Sequence, residues 1–93
     1  MDEKTTKEII VSGRVQMVGF RWFTIQQAAA YGICGWVRNL PNGSVQILAQ
    51  GKADAIAAFE DQVRKGPFHA RVDQFLSENI SQSPDYENFE IRG

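Results

Sequence analysis

The chain of 93 residues has room for one domain with one hydrophobic core, and none for a substrate domain beside a cofactor domain. Its 10 Lys and Arg against 11 Asp and Glu leave a formal charge of -1 at pH 7, so there is no broad positive field for wrapping nucleic acid or adhering to an acidic membrane; anion binding has to be local. The one cysteine, Cys34, excludes an internal disulfide framework and a thiolate-rich metal cluster, and no apolar run approaches the roughly 20 residues that span a bilayer.

Residues 1–6 are polar and read as a flexible tail ahead of a single domain over 7–93, with nothing resembling a secretory signal, so the reducing cytoplasm is the expected location. Glu8 to Ser12 is a β-branched run that places Ile9 and Val11 on one face of a strand ending at Gly13. The segment Gly13-Arg14-Val15-Gln16-Met17-Val18-Gly19-Phe20-Arg21 then sets a glycine-bounded loop and an arginine directly ahead of a helix-compatible stretch. A loop that carries backbone N–H groups to a helix N-terminus is an anion site, and Arg21 adds a forked positive charge. The pattern points to a phosphate group held by Val15, Gln16, Met17, Val18, Gly19, Phe20 and Arg21.

Phe20 to Tyr31 contains no Pro or Gly and three consecutive alanines, which predicts a helix stopped by Gly32. Phe20, Thr24, Ala28 and Tyr31 form the stripe expected to face inward, with Trp22, Ile25 and Ala29 partly covered. Cys34 to Leu40 and Ser44 to Gln50 read as strands joined by the turn Pro41-Asn42-Gly43, in which Gly43 is free to take a positive φ. Asp54 to Lys65 reads as a second helix, with Ile56, Phe59 and Val63 on one stripe, an acidic start, a basic end and Gly66-Pro67 as terminator. Ala70 to Leu76 and Phe89 to Arg92 supply the last strands, with residues 77–88 as a polar loop.

The order β-α-β-β-α-β, with a short extra strand at the end, predicts an α+β ferredoxin-like sandwich: two helices on one face of a four- to five-stranded, mainly antiparallel sheet. A right-handed crossover makes the first two strands parallel with the third between them. The loop after the first strand and the end of the second at Asn39 then lie at the same end of the sheet, so Arg21 and Asn39 converge on one pocket.

Gly13-Arg14-Val15-Gln16, Val18-Gly19-Phe20-Arg21, Thr24, the run Gly-Ile-Cys-Gly-Trp-Val-Arg-Asn from Gly32 to Asn39, Gly43, Gly51 and Gly66-Pro67 together resemble the acylphosphatase family, over a span from Val11 to Ile91. The resemblance implies hydrolysis of acyl phosphates to a carboxylate and inorganic phosphate, with no metal and no cofactor. It also implies that Arg21 holds the phosphate while Asn39 positions the attacking water. The expected partners are small acyl phosphates and inorganic phosphate, with no nucleic acid and no membrane, and the expected state is a monomer. One departure stands out: members of the family usually carry glycine where this chain has Met17. A side chain forced into left-handed backbone there costs roughly 1–2 kcal/mol, so Met17 is expected to strain the loop and weaken phosphate affinity or turnover.

The chemistry is sparse in its demands. The departing carboxylate has a conjugate acid of pKa about 4, so no general acid is needed at the leaving oxygen. The amides of residues 15–20 and the Arg21 fork suit the phosphoryl charge. The Asn39 amide can donate to one group and accept from another, which suits placing a water in line with phosphorus. Thr24 either bonds back to the preceding helical turn or supports Asn39. His69 reads as a strand-entrance residue outside the chemistry, Cys34 as a small hydrophobe, Trp36 and Phe59 as core, and Arg14 and Arg38 as solvated charges flanking the site. The competing class of function is a phosphate or acyl-phosphate binding module that Met17 has weakened as a catalyst. An RNA-recognition sheet would need paired aromatics and a basic face, which the sequence lacks.

Overall fold

The computed structural model describes residues 4–93. Seven elements succeed one another as β1 (Lys4–Arg14), α1 (Phe20–Tyr31), β2 (Cys34–Asn39), β3 (Val45–Lys52), α2 (Ala53–Lys65), β4 (Arg71–Asn79) and β5 (Phe89–Ile91). They form a five-stranded sheet in the order β4-β1-β3-β2-β5. Both β1 and β2 pair antiparallel with β3, which lies between them, so the two run parallel and end on the same side of the molecule. The added β5 extends the sheet by pairing parallel with β2.

Period-two alternation explains the core. Ile9 and Val11 of β1, Val37 of β2, and Val45, Ile47 and Ala49 of β3 point to the helix side and are fully buried. Against them pack Phe20 and Ala28 from α1 and Ile56, Phe59 and Val63 from α2. The three α2 residues carry the stripe that the sequence announces, and each large apolar side chain so buried contributes about 1.5–3 kcal/mol. Phe59 also meets Phe89 edge-on at 6.3 Å, which fixes the short β5 to the helical layer.

Four local expectations are corrected. The first strand begins at Lys4, where Lys4 pairs with Lys52 and Thr6 with Gln50, so residues 4–6 belong to the sheet; the rest of the expected tail, residues 1–3, lies outside the described residues. The last long strand continues to Asn79 because β1 is there to pair with it, which shortens the polar loop to residues 80–88. Trp36 is half-buried on the face away from the helices, with the guanidinium of Arg38 at 5.3 Å and that of Arg92 at 5.2 Å from its ring, and is no part of the core. Trp22 and Ala29 are exposed, while Ile25 packs against the core.

The loop over 80–88 is held from below by a buried amide. Gln50 donates to the Pro84 carbonyl at 2.9 Å and to the Thr6 hydroxyl at 3.1 Å, and accepts from the Tyr86 N–H at 2.9 Å.

Candidate active site at the α1 N-terminus

The loop between β1 and α1 reaches the helix through Gly19, whose φ of 78° is left-handed and which offers no capping side chain; the first turn carries no acidic residue. The first backbone bond of the helix runs from the Phe23 N–H to the Gly19 carbonyl at 2.9 Å. The amides ahead of it, from Phe20 to Trp22, therefore project from a helix end that no carboxylate occupies, where the dipole favours an anion.

A pocket of about 180 Å³ opens at this point, lined by Val15, Met17, Gly19, Phe20, Arg21, Trp22, Asn39 and Ile91. It is smaller than the roughly 300 Å³ at which sites for drug-sized ligands begin, so it suits a small ligand. Arg21 has no ion-pair or hydrogen-bond partner among the described residues. The Asn39 oxygen, Oδ1, is buried and likewise unpartnered. A buried acceptor without a donor is rare in a folded protein, and here it belongs to a residue that lines the pocket.

The expected residues divide. Arg21 and Asn39 meet at the pocket as the topology requires, with Val15, Met17, Gly19 and Phe20 around them. Gln16 belongs to the loop, but its side chain turns away: Nε2 donates to the Leu40 carbonyl at 2.8 Å and to the Ser44 carbonyl at 2.9 Å. That double bond of one amide group clamps the loop to the β2–β3 turn, immediately after Asn39. Val18 packs against the core. Thr24 donates to the Phe20 carbonyl at 2.8 Å, so of its two expected partners it takes the helix and leaves Asn39 alone. Met17 takes a φ of 63°, the left-handed backbone anticipated for it, and its side chain is fully exposed.

Trp22 and Ile91 also line the pocket, beyond the residues expected from the sequence. Ile91 arrives through the parallel pairing of β5, where it sits opposite Val37, a long-range register that spacing does not reveal. Trp22 could have been found as the first-turn neighbour of Arg21. His69 is exposed and stacked edge-on with Phe68 at 5.0 Å, outside the pocket. Arg14 and Arg38 are exposed, and Arg38 donates to Gln46 at 2.7 Å. Among the described residues no group of three His, Cys, Asp or Glu side chains is placed to hold a metal ion, and no helix is long and apolar enough to cross a membrane.

Known proteins share this sequence pattern and fold. The chain is 44% identical over 86 residues to an acylphosphatase of Actinobacillus pleuropneumoniae, covering 92% of this chain and 96% of that one. It is 48% identical over 85 residues to an acylphosphatase of Nitrobacter hamburgensis, covering 91% and 85% respectively. The crystal structure of acylphosphatase from Bacillus subtilis superposes with a TM-score of 0.93 at 34% identity, over 96% of this chain and 99% of that one. The family model for acylphosphatase matches residues 7–91, nearly all of the described fold, and the chain belongs to the acylphosphatase family.

Proposed function

We propose that the protein hydrolyses acyl phosphates at the α1 N-terminus, with Arg21 and the loop amides holding the phosphoryl group and Asn39 orienting the attacking water. The observation that carries this reading is the meeting of Asn39, whose buried Oδ1 is unpartnered, with Arg21, which has no partner among the described residues, in one small pocket at the helix N-terminus. A water that donates to Oδ1 keeps its lone pair free for phosphorus. As the water oxygen bonds to phosphorus, the bond from phosphorus to the acyl oxygen breaks and its electron pair leaves with the carboxylate. A water proton passes to a phosphoryl oxygen of the substrate, so the products are carboxylate and dihydrogen phosphate and the protein supplies no base. Developing charge on the phosphoryl oxygens falls on the Arg21 fork and the helix N-terminus. The reaction so written uses no metal or cofactor, and a cytoplasmic monomer acting on small molecules fits it.

The test is hydrolysis of benzoyl phosphate by the purified protein with EDTA present, beside Arg21→Ala. Turnover by the parent that falls at least about 100-fold in the variant supports the assignment, on the scale of losing one preorganised charge-stabilising group. Phosphate binding without turnover in the parent would move the protein to the binding-module class.

A further inference from the structure

Five large hydrophobic side chains of the described residues are exposed: Met17, Trp22, Phe68, Leu76 and Ile91. Three of the five, Met17, Trp22 and Ile91, line the pocket that holds Arg21 and Asn39. They come from the loop, the first turn of α1 and the last strand, so no single amphipathic element accounts for their meeting. Water-facing apolar groups gathered around a charged hole mark a place where a ligand with one charged end and one apolar end is bound. Arg21 takes the charged end, and the apolar end of such a ligand meets Trp22, 62% exposed, and Ile91, 44% exposed, in the same lining.

Resting on the acyl phosphate reading, we infer that Trp22 and Ile91, with Met17, form an apolar collar that receives the acyl group, and that the substrates favoured are acyl phosphates with an aromatic or branched apolar acyl portion. The flat indole gives such a group a surface to stack on, and Ile91 adds a branched aliphatic contact. Acetyl phosphate, with a single methyl, offers the collar little apolar area and gains little from it.

The experiment compares kcat/KM for benzoyl and acetyl phosphate in the parent, Trp22→Ala and Ile91→Ala, and measures binding of benzylphosphonate and methylphosphonate to the same three proteins by calorimetry. Met17 is left alone because its backbone strain would confound the reading. The ratio of benzoyl to acetyl kcat/KM is expected to fall about 10-fold in Trp22→Ala, the low end of what an apolar contact discriminates, and less in Ile91→Ala. The preference for benzylphosphonate falls in parallel. Ratios unchanged in both variants, with hydrolysis intact, overturn the collar and leave the acylphosphatase reading standing. An inactive parent that still prefers benzylphosphonate through Trp22 upholds the collar as an apolar anion site and removes the hydrolase reading. A parent that binds both phosphonates equally, or neither, overturns the collar.

Discussion

Replacing Met17 with glycine should make the protein more stable and bind phosphate more tightly. At a φ of 63° the residue occupies backbone that disfavours an L side chain by roughly 1–2 kcal/mol. Its side chain is fully exposed, so its removal forfeits no packing. Glycine gains conformational freedom in the unfolded chain, which returns about 0.4–1 kcal/mol of the benefit. Taken at mid-range, the net is a gain of about 0.8 kcal/mol, or about 3–6 °C in thermal midpoint for a domain of this size. If the released strain also raises the fraction of loops in the anion-binding shape, inorganic phosphate binds about 2–5-fold more tightly. Met17→Ala isolates the cause, because it removes the same side chain but keeps the left-handed penalty. Urea denaturation and phosphate inhibition of the three proteins provide the comparison. A glycine variant no more stable than the parent, or an alanine variant that gains as much as glycine, would refute the strain argument.

Asn39→Ala separates activity from stability: kcat should drop about 100- to 1000-fold, while the thermal midpoint holds or rises, because a buried unpaired oxygen worth about 1–3 kcal/mol is removed. A clear fall in midpoint would mean that Oδ1 has a structural partner. Gln16→Ala should lower stability by about 1–3 kcal/mol, since it removes two hydrogen bonds at about 0.5–1.5 kcal/mol each while the Leu40 and Ser44 carbonyls keep the N–H groups of Gly43 and Leu40; it should raise KM more than it lowers kcat, as read from steady-state kinetics. Gln50→Ala should free the loop over 80–88, seen as faster hydrogen exchange at the Tyr86 amide, whose acceptor is lost.

How much of the molecule is legible in the chain depends on whether the deciding interaction is local. The second helix is legible because its apolar stripe, its acidic start and its glycine terminator agree, and Ile56, Phe59 and Val63 are indeed buried. The β2–β3 turn is legible for the same reason, with Gly43 at a φ of 94°. The extra residues of β1 and β4 are not, because Lys4 to Lys7 and Ser77 to Asn79 show no apolar alternation and are drawn into the sheet by each other and by β3. Trp36 misleads because size and aromaticity suggest core, whereas its place next to the buried Val37 on a strand sends it to the opposite face. The meeting of Arg21 with Asn39 is a matter of topology alone. The outward turn of Gln16 is not, since a side-chain rotamer answers to carbonyls that only the folded β2–β3 turn presents.

The sheet order also bears on when the pocket comes into being. Of the described strands, β2 and β3 are joined by a short turn; β1 finds its partners at Lys52 and Asn79, and β5 returns across the chain to reach β2. Closing such long loops is slow and entropically unfavourable, so the barrier to folding lies in bringing these distant strands together. The loop over residues 15–19 hangs from the end of β1, and the Ile91 wall from β5, which leaves the pocket incomplete until the native register is reached. An interaction absent from the transition state lengthens the life of the folded protein without hastening its formation. On the proposed function, inorganic phosphate should act as a brake on unfolding: in a chevron it should lower the unfolding arm and leave the folding arm where it was.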